Sequence, residues 1–287
     1  MEIIKADVLG FCKGVENAIS IVIYSCEEYR GRSIKIYGEL AHNKKVIEYI
    51  ERLGAKTIHS LDEINSSDVV IIRAHGISDA ERKYIENTAS VVIDATCPLV
   101  LRNQEKMRAS ALPTLIFGIK GHSETKAVEG VSSSWYKVVT VPEDLDGIDV
   151  TEKYNVIMQT TFESSLSSAL FSRLDKMGIS YTVSSSVCYA SKKRREALGK
   201  LASSCDMIVV IGDRMSANTN ALRNEAEGYG VRAVLIESED EIEESMFSSV
   251  RRLGISAGSS APPFQIDAVI KRIRAVCDGK ENANEVE

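Results

Sequence analysis

Val91-Val92-Ile93-Asp94-Ala95-Thr96-Cys97-Pro98-Leu99 reads as a strand that stops at Thr96 and a helix that starts at Pro98. The continuous β-branched run at 91–93 predicts a strand covered on both faces. Proline suits the first helical position, where its missing N–H is no loss. Cys97 therefore falls between a strand end and a helix N-terminus, where the dipole and free N–H groups favour a thiolate. A single free cysteine is more often a small buried hydrophobe. Two other stretches repeat the arrangement, however. Ile3 to Leu9 leads through Gly10-Phe11-Cys12 to a helix from about Val15, and Tyr181-Thr182-Val183 leads through Val187-Cys188 to a helix from about Ala190. These joints, at near-equal spacing, divide the chain into three similar units, a repeat of structure rather than of residues. Sites in open α/β sheets form beyond the carboxyl ends of strands. Three such units set around an axis would point three thiolates at one centre.

Outward from these joints, periodicity predicts helices over 14–29, 45–53, 78–87, 98–110, 163–177, 192–203 and 266–276, with another between 220 and 233. Strands are predicted over 33–37, 56–58, 68–72, 114–117, 135–141, 154–158, 207–211, 233–236 and 253–256. Alternating strands and helices predict an α/β fold of mostly parallel sheets with right-handed crossovers. Three pseudo-equivalent lobes are expected: 14–97, 98–188, and 189–277 with the N-terminal strand 1–13. A disordered polar tail is expected over 278–287.

The 287 residues carry 35 basic and 41 acidic side chains, a formal charge of −6, with 44% hydrophobic content. That balance is ordinary for a soluble protein and suggests no nucleic-acid or membrane surface. No apolar run approaches the roughly 20 residues of a membrane span, and the N-terminus shows no signal pattern. Six cysteines without dense pairing point to a reducing compartment, hence a cytoplasmic location.

Each unit has, besides its cysteine joint, two strands that end in short polar loops. These loops supply His42, His75, His122 with Glu124, Thr160, Ser216 with Asn218, and Ser260. Three thiolates do not complete a structural zinc site, which wants four ligands; they suit an iron–sulfur cluster with one iron left open. The loops offer hydrogen-bond donors for an anion, and Glu124 is a carboxylate that could move a proton. Taken singly, each residue has a plainer reading: a loop hydrogen bond for each histidine, a first-turn carboxylate for Glu124, helix caps for the hydroxyls. Cys26, Cys205 and Cys277 lack the joint and read as packing residues. The run Lys192 to Arg195 reads as a solvated face, with a basic lip for an acidic electron donor as the second reading.

Gly10-Phe11-Cys12 with Gly14-Val15, His42-Asn43, Ala74-His75-Gly76, Asp94 to Pro98, Gly121-His122 with Glu124, Gln159-Thr160-Thr161, Ser216 with Asn218, and Ser260-Ala261-Pro262 occur in this order. In this set the chain closely resembles the 4-hydroxy-3-methylbut-2-enyl diphosphate reductases, the LytB/IspH family, over nearly its whole length. The resemblance implies three α/β lobes around a [4Fe–4S] cluster held by Cys12, Cys97 and Cys188. It implies the last step of the non-mevalonate isoprenoid pathway, a reductive dehydroxylation giving isopentenyl and dimethylallyl diphosphate. It also implies roles: Glu124 with Thr160 for proton delivery, and His42, His75, Ser216, Asn218 and Ser260 for the diphosphate. His122 would link diphosphate and proton relay. Electrons would come from a ferredoxin or flavodoxin.

Three positions depart from the family pattern. Arg195 replaces a glutamine, Ala217 a serine, and Pro263 an acidic residue, which bears on substrate affinity more than on reaction type. Two other readings compete: a redox- or iron-sensing binding protein, and a hydrolase with a cysteine nucleophile and histidine base.

Overall fold

The computed structural model describes residues 1–278. In chain order the elements are β1 (Glu2–Lys5), α1 (Lys13–Glu28), β2 (Ile34–Tyr37), α2 (Lys44–Arg52), β3 (Ala55–Ile58), β4 (Val69–Ile72), α3 (Asp79–Thr88) and β5 (Val91–Asp94). Then follow α4 (Pro98–Ala109), β6 (Thr114–Phe117), α5 (Ser123–Glu129), β7 (Tyr136–Val139), β8 (Lys153–Met158), α6 (Ser164–Lys176) and β9 (Ser180–Val183). The last are α7 (Tyr189–Ala202), β10 (Met207–Ile211), α8 (Ala217–Gly228), β11 (Arg232–Ile236), β12 (Arg252–Ala257) and α9 (Pro263–Asp278). Short 3-10 turns intervene.

The strands form three four-stranded parallel sheets, ordered β3-β2-β4-β5, β7-β6-β8-β9 and β11-β10-β12-β1. The same plan recurs in each: the first strand in a central position, the second at one edge, the third beside the first, the fourth at the far edge. In the third sheet the fourth strand is β1, from the other end of the chain. Central strands are continuous apolar runs, such as Val69-Val70-Ile71-Ile72 and Met207 to Ile211, buried on both faces. Along β10 the side chains alternate. Met207, Val209 and Ile211 pack with Val269, Ile270 and Ile273 of α9, while Ile208 and Val210 pack with Leu198 of α7 and Leu222 of α8. Period-two alternation thus gives the sheet two apolar faces, each covered by helices.

One expectation fails here. Val91 to Ile93 are half-buried rather than enclosed, because β5 pairs only with β4 at a sheet edge. Their β-branching reflects a fit to the pleated strand, not two-sided burial.

The chain groups into two compact units. One comprises Met1–Glu16, Ala41–Tyr49 and the chain from Tyr189 onward, and contains the third sheet; the other comprises Asn17–Leu40 and Ile50–Cys188, and contains the first two. Of the tail expected over 278–287, Asp278 instead closes α9; the rest of that stretch lies outside the described residues. Among the described residues no helix is long and apolar enough to cross a membrane.

Candidate functional site

The cysteine joints are equivalent to the level of single hydrogen bonds. The fourth strand of each sheet, at its edge, leads to Cys12, Cys97 or Cys188. Each cysteine N–H donates to the carbonyl two residues past the end of the third strand: Cys12 to Ser259 (3.1 Å), Cys97 to Ala74 (2.9 Å), Cys188 to Thr160 (2.7 Å). The backbone of all three is thus pinned by one repeated bond. Cys97 is the N-cap of α4, with Pro98 as its first residue. The Cys12 carbonyl accepts from Glu16 N–H at 2.9 Å, opening α1. All three are half-buried and none is in a disulfide, so as donors they suit a group that binds thiolates. Burial pushes the Cys26 and Cys205 thiols up, which suits inert packing residues. Cys277 packs against the α9 side of the third sheet.

In the unit that contains the first two sheets, the loops after β4, β6 and β8 bring together His75, His122, Glu124 and Thr160. The rings of His75 and His122 meet edge to face, centroids 5.7 Å apart at 87°. His122 is the N-cap of α5, and its Nδ1 accepts from Glu124 N–H at 3.2 Å. In the neutral ring this leaves the proton on Nε2. Gly76, with φ +73°, lets the His75 turn close on the cysteine joint; a Cβ there would meet Thr96 Cγ2 and Val100 Cγ1 at 3.2 Å.

Glu124, 2% exposed, is the chemically distinctive group. Its Oε1 accepts from Thr160 N–H at 2.7 Å, and its Oε2 accepts from the Thr160 hydroxyl at 2.8 Å. Burial pushes its carboxyl up to about 7, although both Thr160 bonds act to lower it. A backbone N–H can only donate, so Oε1 must accept. In the carboxylate form Oε2 accepts from the Thr160 hydroxyl; in the protonated form Oε2 is the oxygen whose partner, a hydroxyl, can turn to accept its proton.

In the other unit the loops after β10 and β12 combine with residues 41–49. Ser216 is the N-cap of α8, accepting from Thr219 N–H at 3.3 Å, so capping is part of its job. Asn218, 7% exposed, has an Nδ2 that is buried without a hydrogen-bond partner. Such an orphan donor asks for an acceptor that a ligand would bring. Ser260 Oγ donates to the His42 carbonyl at 3.1 Å, so this serine holds the histidine's backbone. The fully buried Thr219 sits where Gly212 and Gly258 leave room, since a Cβ on Gly258 would come within 2.2 Å of Thr219 Oγ1.

Sequence reasoning missed three residues of this unit. Asp213 is buried and accepts from Lys44 N–H (3.0 Å) and Met215 N–H (2.7 Å), capping α2. Asn43 Nδ2 donates to Gln265 Oε1 at 2.9 Å, and Gln265 Nε2 to the Glu237 carbonyl at 2.6 Å. The available signals were an aspartate directly after the strand-end Gly212 and Asn43 in the quoted motif His42-Asn43. The solvated-face reading of 192–195 also fails for Arg194 and Arg195, both buried. Arg194 donates to the Ala257 (2.9 Å) and Gly10 (2.7 Å) carbonyls, fastening the end of β12 to the turn before Cys12.

Three repeated parallel sheets, each with a cysteine joint after the strand at the same edge, together with a buried carboxyl on a threonine hydroxyl, define an α/β protein of three matched units. The chain belongs to the LytB family, whose model, described as LytB protein, matches residues 3–274. It is 34% identical over 283 residues to the 4-hydroxy-3-methylbut-2-enyl diphosphate reductase of Dechloromonas aromatica (strain RCB), covering 96% of this chain and 92% of that protein. It is 35% identical to the same-named protein of Bordetella pertussis (strain Tohama I), covering 95% and 86%. Among solved structures, the E-1-hydroxy-2-methyl-but-2-enyl-4-diphosphate reductase from Plasmodium falciparum superposes with a TM-score of 0.88 at 25% identity, covering 95% of this chain and 88% of that one. A structure described as the terminal enzyme of the non-mevalonate pathway matches with a TM-score of 0.71 at 28% identity, covering 96% and 100%.

Proposed function

We propose that the chain reduces 4-hydroxy-3-methylbut-2-enyl diphosphate to isopentenyl and dimethylallyl diphosphate, in the cytoplasm, as the last step of the non-mevalonate pathway. The observation that carries this reading is the Glu124–Thr160 pair, a buried acid that keeps its proton to about pH 7, in a chain of the LytB family. The three cysteines fit a [4Fe–4S] cluster held by Cys12, Cys97 and Cys188, the protein folding as lobes 14–97, 98–188 and 189–277 with strand 1–13. When bound, the cluster supplies electrons and a Lewis-acidic iron for the substrate hydroxyl.

The residues of the chain do the rest. The C–O bond breaks, the carbon skeleton takes up two electrons and one proton, and the oxygen leaves as water with the other. Hydroxide is a poor leaving group, so a proton must reach that oxygen. Glu124 in its protonated form would supply one from Oε2, with its hydrogen-bond partner Thr160 Oγ1 as the relay. His42, His75, His122, Ser216, Asn218 and Ser260 would hold the diphosphate. For Ser260 the support is indirect, since its hydroxyl faces the His42 carbonyl; for Asn218 it is the orphan amide. A ferredoxin or flavodoxin would supply the two electrons.

The test is anaerobic purification, an absorption spectrum, and turnover with reduced viologen. A brown protein that forms both diphosphates supports the reading. A brown protein without turnover would make it a sensor, and a colourless protein that hydrolyses esters would make it a cysteine hydrolase.

A further inference from the structure

Helix α4 starts at Cys97 and carries two buried amides side by side, Asn103 and Gln104, 3% and 1% exposed. Gln104 Nε2 spends both of its protons. One goes to the Ile77 carbonyl at 2.7 Å, the other to the Ala127 carbonyl at 2.8 Å. Ile77 lies two residues after His75. Ala127 lies on α5, three residues after Glu124, and its carbonyl is among the last four of that short helix, which have no partner within it. Asn103 Nδ2 donates to the Met158 carbonyl at 3.0 Å, at the end of the strand that leads to Thr160. Apolar packing between α4 and α5, through Met107 and Val128, brings the helices together without fixing their register. An amide that donates to two carbonyls at once does fix it, because both carbonyls must face one nitrogen.

We propose that Gln104 is a positioning residue for the Glu124–Thr160 acid, its amide tying α5 and the His75 turn to the helix that begins at Cys97. Asn103 plays the matching part for the Thr160 strand end. The proton donor is thereby held at a set distance from the cysteine. This rests on the reading of Glu124 as proton donor.

The experiment is a double-mutant cycle on the holoenzyme. Gln104→Met keeps length and volume but removes both donors; Gln104→Glu is a second, isosteric variant. Either should keep the iron content of the parent and lose about ten- to a hundredfold in kcat, the range expected when a reacting group shifts by about 1 Å. The loss should fall on kcat more than on KM. In a Glu124→Gln background, Gln104→Met should cost nothing further, because a residue acting through Glu124 has nothing left to position. Additive losses in the cycle, parental kcat in both variants, or loss of iron in both would overturn the proposal and leave Gln104 as packing. Turnover of Glu124→Gln equal to the parent would overturn the underlying reading instead, and this proposal with it.

Discussion

Glu124 shows how one residue's surroundings set its chemistry. The carboxyl is raised by burial from 4.5 to about 7, against the opposing Thr160 bonds. The sign of the consequence is fixed: between those values the folded protein holds a proton that the unfolded chain has lost, so stability falls as pH rises from about 4.5 through 7. The full loss is about 3 kcal/mol. Parent protein should therefore lose thermal stability across this window relative to Glu124→Gln, as a pH series of melting curves would show. Turnover should have an alkaline limb near pH 7 and fall about 10²–10⁴-fold in Glu124→Gln. Thr160→Val should lose less, since water can replace a relay hydroxyl. A flat pH profile in the parent would move the proton elsewhere, with His122 the next candidate. Anion binding is a separate residue-scale matter. Removing a donor to a charged group costs about 1.5–3 kcal/mol, so His42→Ala or Asn218→Ala should weaken substrate binding by more than about tenfold, measured as affinity with iron intact.

At the level of elements, the cysteine joints explain both what the sequence revealed and what it hid. Strand ends, helix starts and the polar loops between them follow from local chemistry. β-branched runs, Pro98 at a helix start and Gly178 after α6 are visible residue by residue, and nearly every element lies within a few residues of its predicted place. The edge position of β5 was not visible, because β-branching marks a strand without saying what covers it. Helix α5 was missed because it is only seven residues long, too short to show a period. The burial of Arg194 was hidden for a related reason: a basic run looks solvated until the carbonyls it reaches, 63 and 184 residues away, are in place. The joints also predict iron dependence. Cys12→Ser, Cys97→Ser and Cys188→Ser should each lose most bound iron and the visible charge-transfer band, while Cys26→Ser, Cys205→Ser and Cys277→Ser should keep both. Full iron retention in Cys97→Ser would refute the three-ligand model.

For the whole molecule, the repeated sheet plan carries a consequence in chain order. In the first two sheets a helix follows the third strand and leads, after two or three residues, into the fourth: α3 into β5, α6 into β9. In the third sheet α9 follows β12, but the fourth strand is β1, paired with β12 from Glu2↔Arg252 to Lys5↔Ile255. The third sheet is thus the same unit with its fourth strand supplied from the opposite end of the sequence. Parallel strands and an intervening antiparallel helix place the end of α9 at the edge where β1 begins. Joining Asp278 to Glu2 by a two- or three-residue link, and opening the chain between the exposed residues Val150 and Thr151, would give the third sheet the connection the other two already have. Exposed loop tips tolerate such cuts. The permuted protein should fold, bind iron to the level of the parent and turn over substrate, because every sheet register and each of the three cysteine hydrogen bonds is unchanged. Iron content and far-ultraviolet circular dichroism decide it. A permutant that stays soluble and helical yet binds no iron would show that the added link into β1 disturbs Cys12, and that the third sheet is not interchangeable with the others.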